Sequence, residues 1–137
     1  MSKTRKFLIV SHGALAGGFR NALELIAGSM DNVEVIQAYM EENRSVEEEL
    51  AGLLPGAGET EEWVVFTDLL GGSITNQVMR VMAELPGRSH IHVVAGINLP
   101  VIIETVLGDP ELPVRELLKE TVSRAREQLV YVNELIA

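Results

Sequence analysis

Three short stretches of this chain join a chemically useful side chain to a sharp turn. In FLIVSHG an apolar run stops on a single imidazole, His12, followed by Gly13. In VVFTDLLGGS a second run stops on Asp68 and leads into Gly71, Gly72 and Ser73. The third stretch, VVAGINLP, places Asn98 just ahead of Pro100. An imidazole beside a carboxylate is a working pair, because the carboxylate accepts the proton of one ring nitrogen and leaves the other as a lone-pair nucleophile or base. A glycine-bounded helix start offers free backbone N–H groups and the positive end of the helix dipole to an anion such as phosphate, and the glycines allow close backbone approach. His12 and Asp68 as the catalytic pair, with Gly71, Gly72 and Ser73 as a phosphate cradle, point to transient phosphorylation of a ring nitrogen. There is no G-x-x-x-x-G-K-[ST] loop, and none of the three turns carries Lys or Arg, which opposes a nucleotide kinase.

The elements that must position these residues follow from the hydrophobic pattern. Residues 7–10, 33–39, 63–67 and 90–95 read as strands, the first and third being apolar on both faces as expected of covered strands. Between them lie helical stretches. Phe19, Leu23 and Ile26 recur at helical spacing before Gly28, and Ser45 with Glu48 forms a capping-box pattern for a helix running toward Pro55. Residues 59–62 read as a solvated acidic turn. Ser73 is a good N-cap for a helix with Val78, Met82 and Leu85 on one stripe, stopped at Pro86 and Gly87. Pro100 suits the first turn of a further helix ending by Gly108, and a last helix after Pro113 carries Leu117, Leu118, Val122 and Ala125. Four strands alternating with helices predict an α/β fold, an open, mostly parallel sheet sandwiched by helices. Ligands of such sheets sit beyond the carboxyl ends of the strands where the order reverses, and an order 2-1-3-4 brings His12 and Asp68 together there.

Each feature also has a plainer reading. Asp68, Gly71 and Gly72 can simply shape a turn, and Asn98 can either close the crevice or satisfy its own turn. His90 and His92 alternate onto one strand face, but no third ligand is in view, so no metal site is expected. The run Glu47, Glu48, Glu49 reads as a solvated helix face. Ser73, His12 and Asp68 superficially suggest a serine hydrolase triad, although no G-x-S-x-G surrounds Ser73. Leu69, Leu70, Ile97 and Leu99 form either a docking rim beside the site or packing beneath the helices. With 137 residues, 47% of them hydrophobic, the chain has enough apolar material for one domain, residues 1–137. A net charge of −9 opposes nucleic acid or an anionic membrane surface as partner. The chain has no cysteine and no apolar run of membrane-spanning length, so a cytoplasmic protein without direct membrane insertion is expected, and no cofactor is implied.

In these residues the chain resembles the IIA component of the mannose class of the bacterial sugar phosphotransferase system. The likeness rests on residues 10–13, on residues 67–73 with Asn76, and on residues 95–100 leading to Glu104 and Thr105, and it spans nearly the whole length. It implies that His12 takes a phosphoryl group from the phosphocarrier HPr and passes it to a histidine of a IIB component. It further implies that Asp68 supports the ring, that backbone around Gly72 and Ser73 holds the phosphate, and that membrane IIC and IID components act downstream. The implied fold has the order 2-1-3-4, with a fifth strand at residues 129–132 exchanged between two subunits of a homodimer. Some relatives fuse IIA to IIB, and here a separate IIB chain is expected. A regulatory IIA-like domain without onward sugar transport is the other branch the resemblance allows.

Overall fold

The computed structural model describes residues 3–40 and 45–136. The chain divides into two compact units, one up to Ile97 and one from Asn98. In the first, β1 (Thr4–His12), β2 (Val33–Ala38), β3 (Glu61–Thr67) and β4 (Ile91–Ala95) form one sheet in the order β2-β1-β3-β4. Every pairing is parallel, as the alternation of strands and helices predicts. The two interior strands are those with unbroken apolar runs: residues 7–10 of β1 and 63–66 of β3 are all buried. The edge strands β2 and β4 carry half-buried positions. An interior strand of a parallel sheet has helices over both faces, so neither face can afford polar residues.

Helix α1 (Leu15–Ala27) packs on β1 and β2, and its Gly17 amide donates to Gln37 Oε1 at 3.2 Å. The opposite face carries α2 (Val46–Leu53) and α3 (Ser73–Ala83), whose Val46, Leu50, Ile74 and Val78 join Leu8, Val10, Trp63 and Val65 in one buried cluster. Ser45 caps α2 as its spacing predicts, with Oγ accepting from the Glu48 amide at 3.2 Å. In α1 the buried residues are Ala16 and Leu23, which stand seven positions apart on one line. Ile26, expected on that line, is 60% exposed, because it lies about 60° around the helix from Leu23 at 100° per residue.

Several boundaries differ from the sequence expectation. Strand β2 ends at Ala38, and Tyr39 leaves it at φ 65°, the one non-glycine residue at positive φ among the described residues. Strand β3 starts at Glu61 because Glu61 and Glu62 pair with Thr4 and Arg5 of β1, so these two acidic residues belong to the sheet and not to a solvated turn. His90 closes a short 3-10 turn, Arg88–His90, and β4 begins after it. Glu62 is then shared by two imidazoles, taking His90 Nδ1 at 2.7 Å and His92 Nε2 at 2.6 Å. Among the described residues no group of three metal-ligating side chains is arranged to hold an ion.

The second unit holds α4 (Leu99–Val106), α5 (Val114–Arg126) and the short α6 (Val132–Leu135). A buried hydroxyl pair, Thr105 Oγ1 to Thr121 Oγ1 at 2.9 Å, joins α4 to α5. Residues 129–132, expected as a strand, pair with no strand among the described residues, and Val132 opens α6 instead. Their apolar side chains are left outside: Leu129 is 88% exposed. Among the described residues no helix is long and apolar enough to cross a membrane.

Two measurements check these assignments. In denaturant unfolding, Leu8→Ala should cost about 2–5 kcal/mol by opening a cavity under both helices of its face, whereas Ser45→Ala should cost about 1 kcal/mol by removing one cap. Equal costs would contradict the assigned core. The second concerns Glu62, whose carboxyl burial alone would raise; the hydrogen bonds and charge of His90 and His92 outweigh burial and hold it below its ordinary value of 4.5. A carboxyl lowered on folding contributes stability that is present above its ordinary value and lost as pH falls through the folded-state value. Glu62→Gln should therefore lower the melting temperature near neutral pH, with the difference from the unaltered chain shrinking steadily in acid.

Candidate functional site

The site begins with the way β1 and β3 end. Ser11 is fully buried; its Oγ accepts from the Ala16 amide at 2.7 Å and donates to the Gly13 carbonyl at 3.1 Å, which ties the end of β1 to the start of α1. Gly13 turns the chain at φ 56°, a conformation that costs a glycine little. Beyond the end of β3, Thr75 Oγ1 of α3 donates its only proton to the Leu69 carbonyl at 2.6 Å, so Thr67 Oγ1 at the end of β3, 2.7 Å away, must donate to Thr75. This buried pair clamps the loop that follows β3 to the first turn of α3.

Between the clamped ends, His12 and Asp68 meet. A single oxygen, Asp68 Oδ2, accepts from the His12 amide at 2.8 Å and lies 2.8 Å from His12 Nδ1. The carboxylate therefore fixes both the backbone and the ring of the same residue. Burial alone would raise the Asp68 carboxyl; the hydrogen bonds from the His12 amide and ring, together with the charge of the ring, outweigh it and hold the group below its ordinary value. Asp68 Oδ1 is buried without a hydrogen-bond partner among the described residues, a desolvation that the bonds to Oδ2 must offset. The side chains differ in access, Asp68 being 8% exposed and His12 41%. A carboxylate at Nδ1 selects the tautomer with the proton there, which leaves Nε2 as a lone pair on the accessible edge of the ring.

Facing that edge is the start of α3. Gly71 adopts φ 75°, and Gly72, not Ser73, is the N-cap, with no side chain capping the helix. A Cβ on Gly72 would stand 3.9 Å from His12 Cε1 and 3.3 Å from Leu69 Cβ. The ring would meet such a Cβ in ordinary van der Waals contact, and the tight neighbour would be Leu69. Ser73 is the first residue of the helix, and its hydroxyl, turned outward by that position, pairs with Tyr39 Oη at 2.8 Å. Neither atom of the Ser73 hydroxyl bonds His12 among the described residues, so the arrangement is not that of a serine nucleophile with its base.

The structure thus brings together His12, Asp68, Gly72 and Ser73, with Gly71 shaping the turn. Asn98 acts locally within the second unit: Oδ1 accepts from the Val101 amide at 3.0 Å as the cap of α4, and Nδ2 donates to the Ala125 carbonyl at 2.9 Å. Of the four apolar rim residues, Leu69 and Leu70 are exposed, at 57% and 83%, while Ile97 and Leu99 are half-buried. Sequence reading missed Tyr39, whose ring lies 5.6 Å from that of His12, and Gln77, whose Nε2 donates to Tyr39 Oη at 3.2 Å. The signal lay in the strand order, since β2 adjoins β1 and the end of β2 must therefore open toward the same crevice. Holding Tyr39 in the left-handed region costs on the order of 1–2 kcal/mol, a strain that sites tolerate more often than ordinary turns do.

Comparison with known proteins agrees with the fold. Over 126 residues, 90% of this chain, the sequence is 29% identical to the PTS system mannose-specific EIIAB component of Escherichia coli. The chain covers 38% of that relative, so it spans well under half the length of the curated relatives it matches. Among solved structures, a Klebsiella pneumoniae protein proposed as a phosphoenolpyruvate-dependent sugar phosphotransferase system (PTS) permease superposes with TM-score 0.87 at 31% identity, covering 98% of this chain and 96% of that one. The mannose/sorbose specific IIA subunit of the phosphotransferase system from Enterococcus faecalis gives TM-score 0.77 at 27% identity, covering 93% of each chain. A family model described as EIIA-man, PTS system fructose IIA component, matches residues 6–122, and the chain belongs to that family.

Proposed function

We propose that this chain is the phosphocarrier of a mannose-class sugar phosphotransferase system, taking a phosphoryl group from HPr on His12 Nε2 and passing it to a IIB component for coupled uptake and phosphorylation of a sugar. The observation that carries the reading is the 2.8 Å contact of Asp68 Oδ2 with His12 Nδ1, in a chain of this family. With the Nδ1 proton held by Asp68, the Nε2 lone pair forms the new N–P bond as the bond from phosphorus to the donor imidazole of HPr breaks. The electrons of that bond return to the donor nitrogen. The His12 ring keeps its Nδ1 proton and takes on positive charge, which the Asp68 carboxylate stabilises. Transfer to IIB repeats the exchange, with His12 now the leaving group. Such transfers need in-line positioning and charge stabilisation more than elaborate covalent chemistry, so an accessible ring beside the backbone of Gly71, Gly72 and Ser73 suffices.

The two units act as one IIA domain in this reading, which the family match across residues 6–122 supports. The partners are HPr and a IIB component, which would dock on the exposed Leu69 and Leu70, and membrane IIC and IID components that this chain serves indirectly from the cytoplasm. The second copy of the chain is the remaining partner. The exposed apolar residues Leu129, Tyr131, Leu135 and Ile136 suit burial in a homodimer, and there residues 129–132 would find the strand partners they lack in one chain.

Incubation with phosphoenolpyruvate, enzyme I and HPr should label the chain as an acid-labile phosphohistidine, and His12→Ala should take no label. Label retained by His12→Ala would refute the assignment. Asp68→Asn keeps an acceptor in place but removes the charge opposite the ring, and the rate of labelling should fall about 10- to 100-fold, the worth of one hydrogen bond to a charged group. Sedimentation should show a dimer that dissociates when residues 129–137 are deleted.

A further inference from the structure

Tyr39 is bound to the candidate site by three separate observations that the transfer chemistry itself does not require. Its ring lies against that of His12, with centroids 5.6 Å apart and planes tilted by 45°. Its oxygen is 2.8 Å from Ser73 Oγ and 3.2 Å from Gln77 Nε2. Its backbone is held at φ 65°, where glycine would sit without strain. One direction in this hydrogen-bond chain is fixed by its members. The Gln77 amide nitrogen can only donate, so Tyr39 Oη is the acceptor of that bond and keeps its own proton, which Ser73 Oγ at 2.8 Å is placed to accept. Ser73, once it accepts from Tyr39, has its own proton free.

We propose that Tyr39 is a positioning residue for the phosphoryl group: the chain from Gln77 through Tyr39 to Ser73 turns the Ser73 hydroxyl into an oriented donor toward an anion held on His12. The inference rests on the phosphocarrier reading and adds no bond-making step to it. Ser73 keeps its proton throughout and donates a hydrogen bond to a phosphoryl oxygen, on which charge accumulates during transfer. A donor set in advance needs no reorganisation when the group arrives.

The test is single-turnover transfer from phospho-HPr, followed by rapid quenching and counting of the acid-labile label. Tyr39→Phe keeps the ring beside His12 and removes only the hydroxyl. The maximal rate should fall about tenfold, the worth of one hydrogen bond to a charged group, with the KM for phospho-HPr unchanged. Gln77→Leu should act in the same direction and carries the test should Tyr39→Phe not fold. In a Ser73→Ala background Tyr39→Phe should have no further effect, because the residue through which it acts is gone. An unchanged rate in both single variants, a raised KM in place of a lowered rate, or an undiminished Tyr39→Phe effect in the Ser73→Ala background would overturn the inference. These outcomes leave the phosphocarrier reading standing, whereas an unaltered chain that takes no label overturns both.

Discussion

The strand order is the constraint on which the site depends. The chain leaves β1 for β2 on one side and then crosses back to lay β3 on the other, so the C-terminal ends of β1 and β3 lie side by side without a connection between them. Residues 56 positions apart in sequence are thereby held at hydrogen-bond distance. The contact is made by residues at the strand ends, where the sheet fixes the backbone on one side and the turn is free to open on the other. The buried Ser11 and the Thr67–Thr75 pair then remove the freedom that a loop would otherwise have. Rigidity at the site is inherited from the two most buried strands of the sheet.

Asp68 shows how one interaction serves several purposes at once. Its Oδ2 accepts from both the amide and the ring of His12, so the side-chain torsions of the histidine are fixed against its own main chain. The ring is oriented before any partner arrives, and the entropy of ordering it is lost during folding and not during binding. An exposed ring held by a nearly buried carboxylate combines access with definition. On the phosphocarrier reading, that combination lets two different partner proteins use the same nitrogen in turn.

Much of this was legible in the sequence because the relevant signals are local. Unbroken apolar runs identified β1 and β3 as covered strands, and the residues at which those runs stop, His12 and Asp68, are the pair the structure brings together. The misplaced features depend on contacts between distant segments. Glu61 and Glu62 look like a solvated turn until β1 extends far enough to pair with them. Ser73 looks like an N-cap because its type favours that position, yet Gly72 takes it and frees the serine hydroxyl for Tyr39. Tyr39 gave no local sign at all, since nothing in its neighbours announces a left-handed backbone, and only the place of β2 beside β1 leads to it. Residues 129–132 show the opposite limit: a strand-like pattern that pairs with no strand among the described residues.

The carboxylate shared by His90 and His92 has a bearing on how the sheet selects its alignment. In β1 and β3 the apolar runs do not alternate, so sliding one strand past the other by a residue would still put apolar side chains on both faces. Hydrophobicity alone therefore discriminates poorly between neighbouring alignments of these two strands. Strand β3 carries a carboxylate near each end, Glu62 engaging His92 of β4 and Asp68 engaging His12 of β1. A slip of one residue would turn either carboxylate to the wrong face and leave it without its imidazole. The polar residues at the two ends of β3 thus act as a vernier, Asp68 setting to within one residue the alignment of β3 on β1 and Glu62 that of β3 on β4.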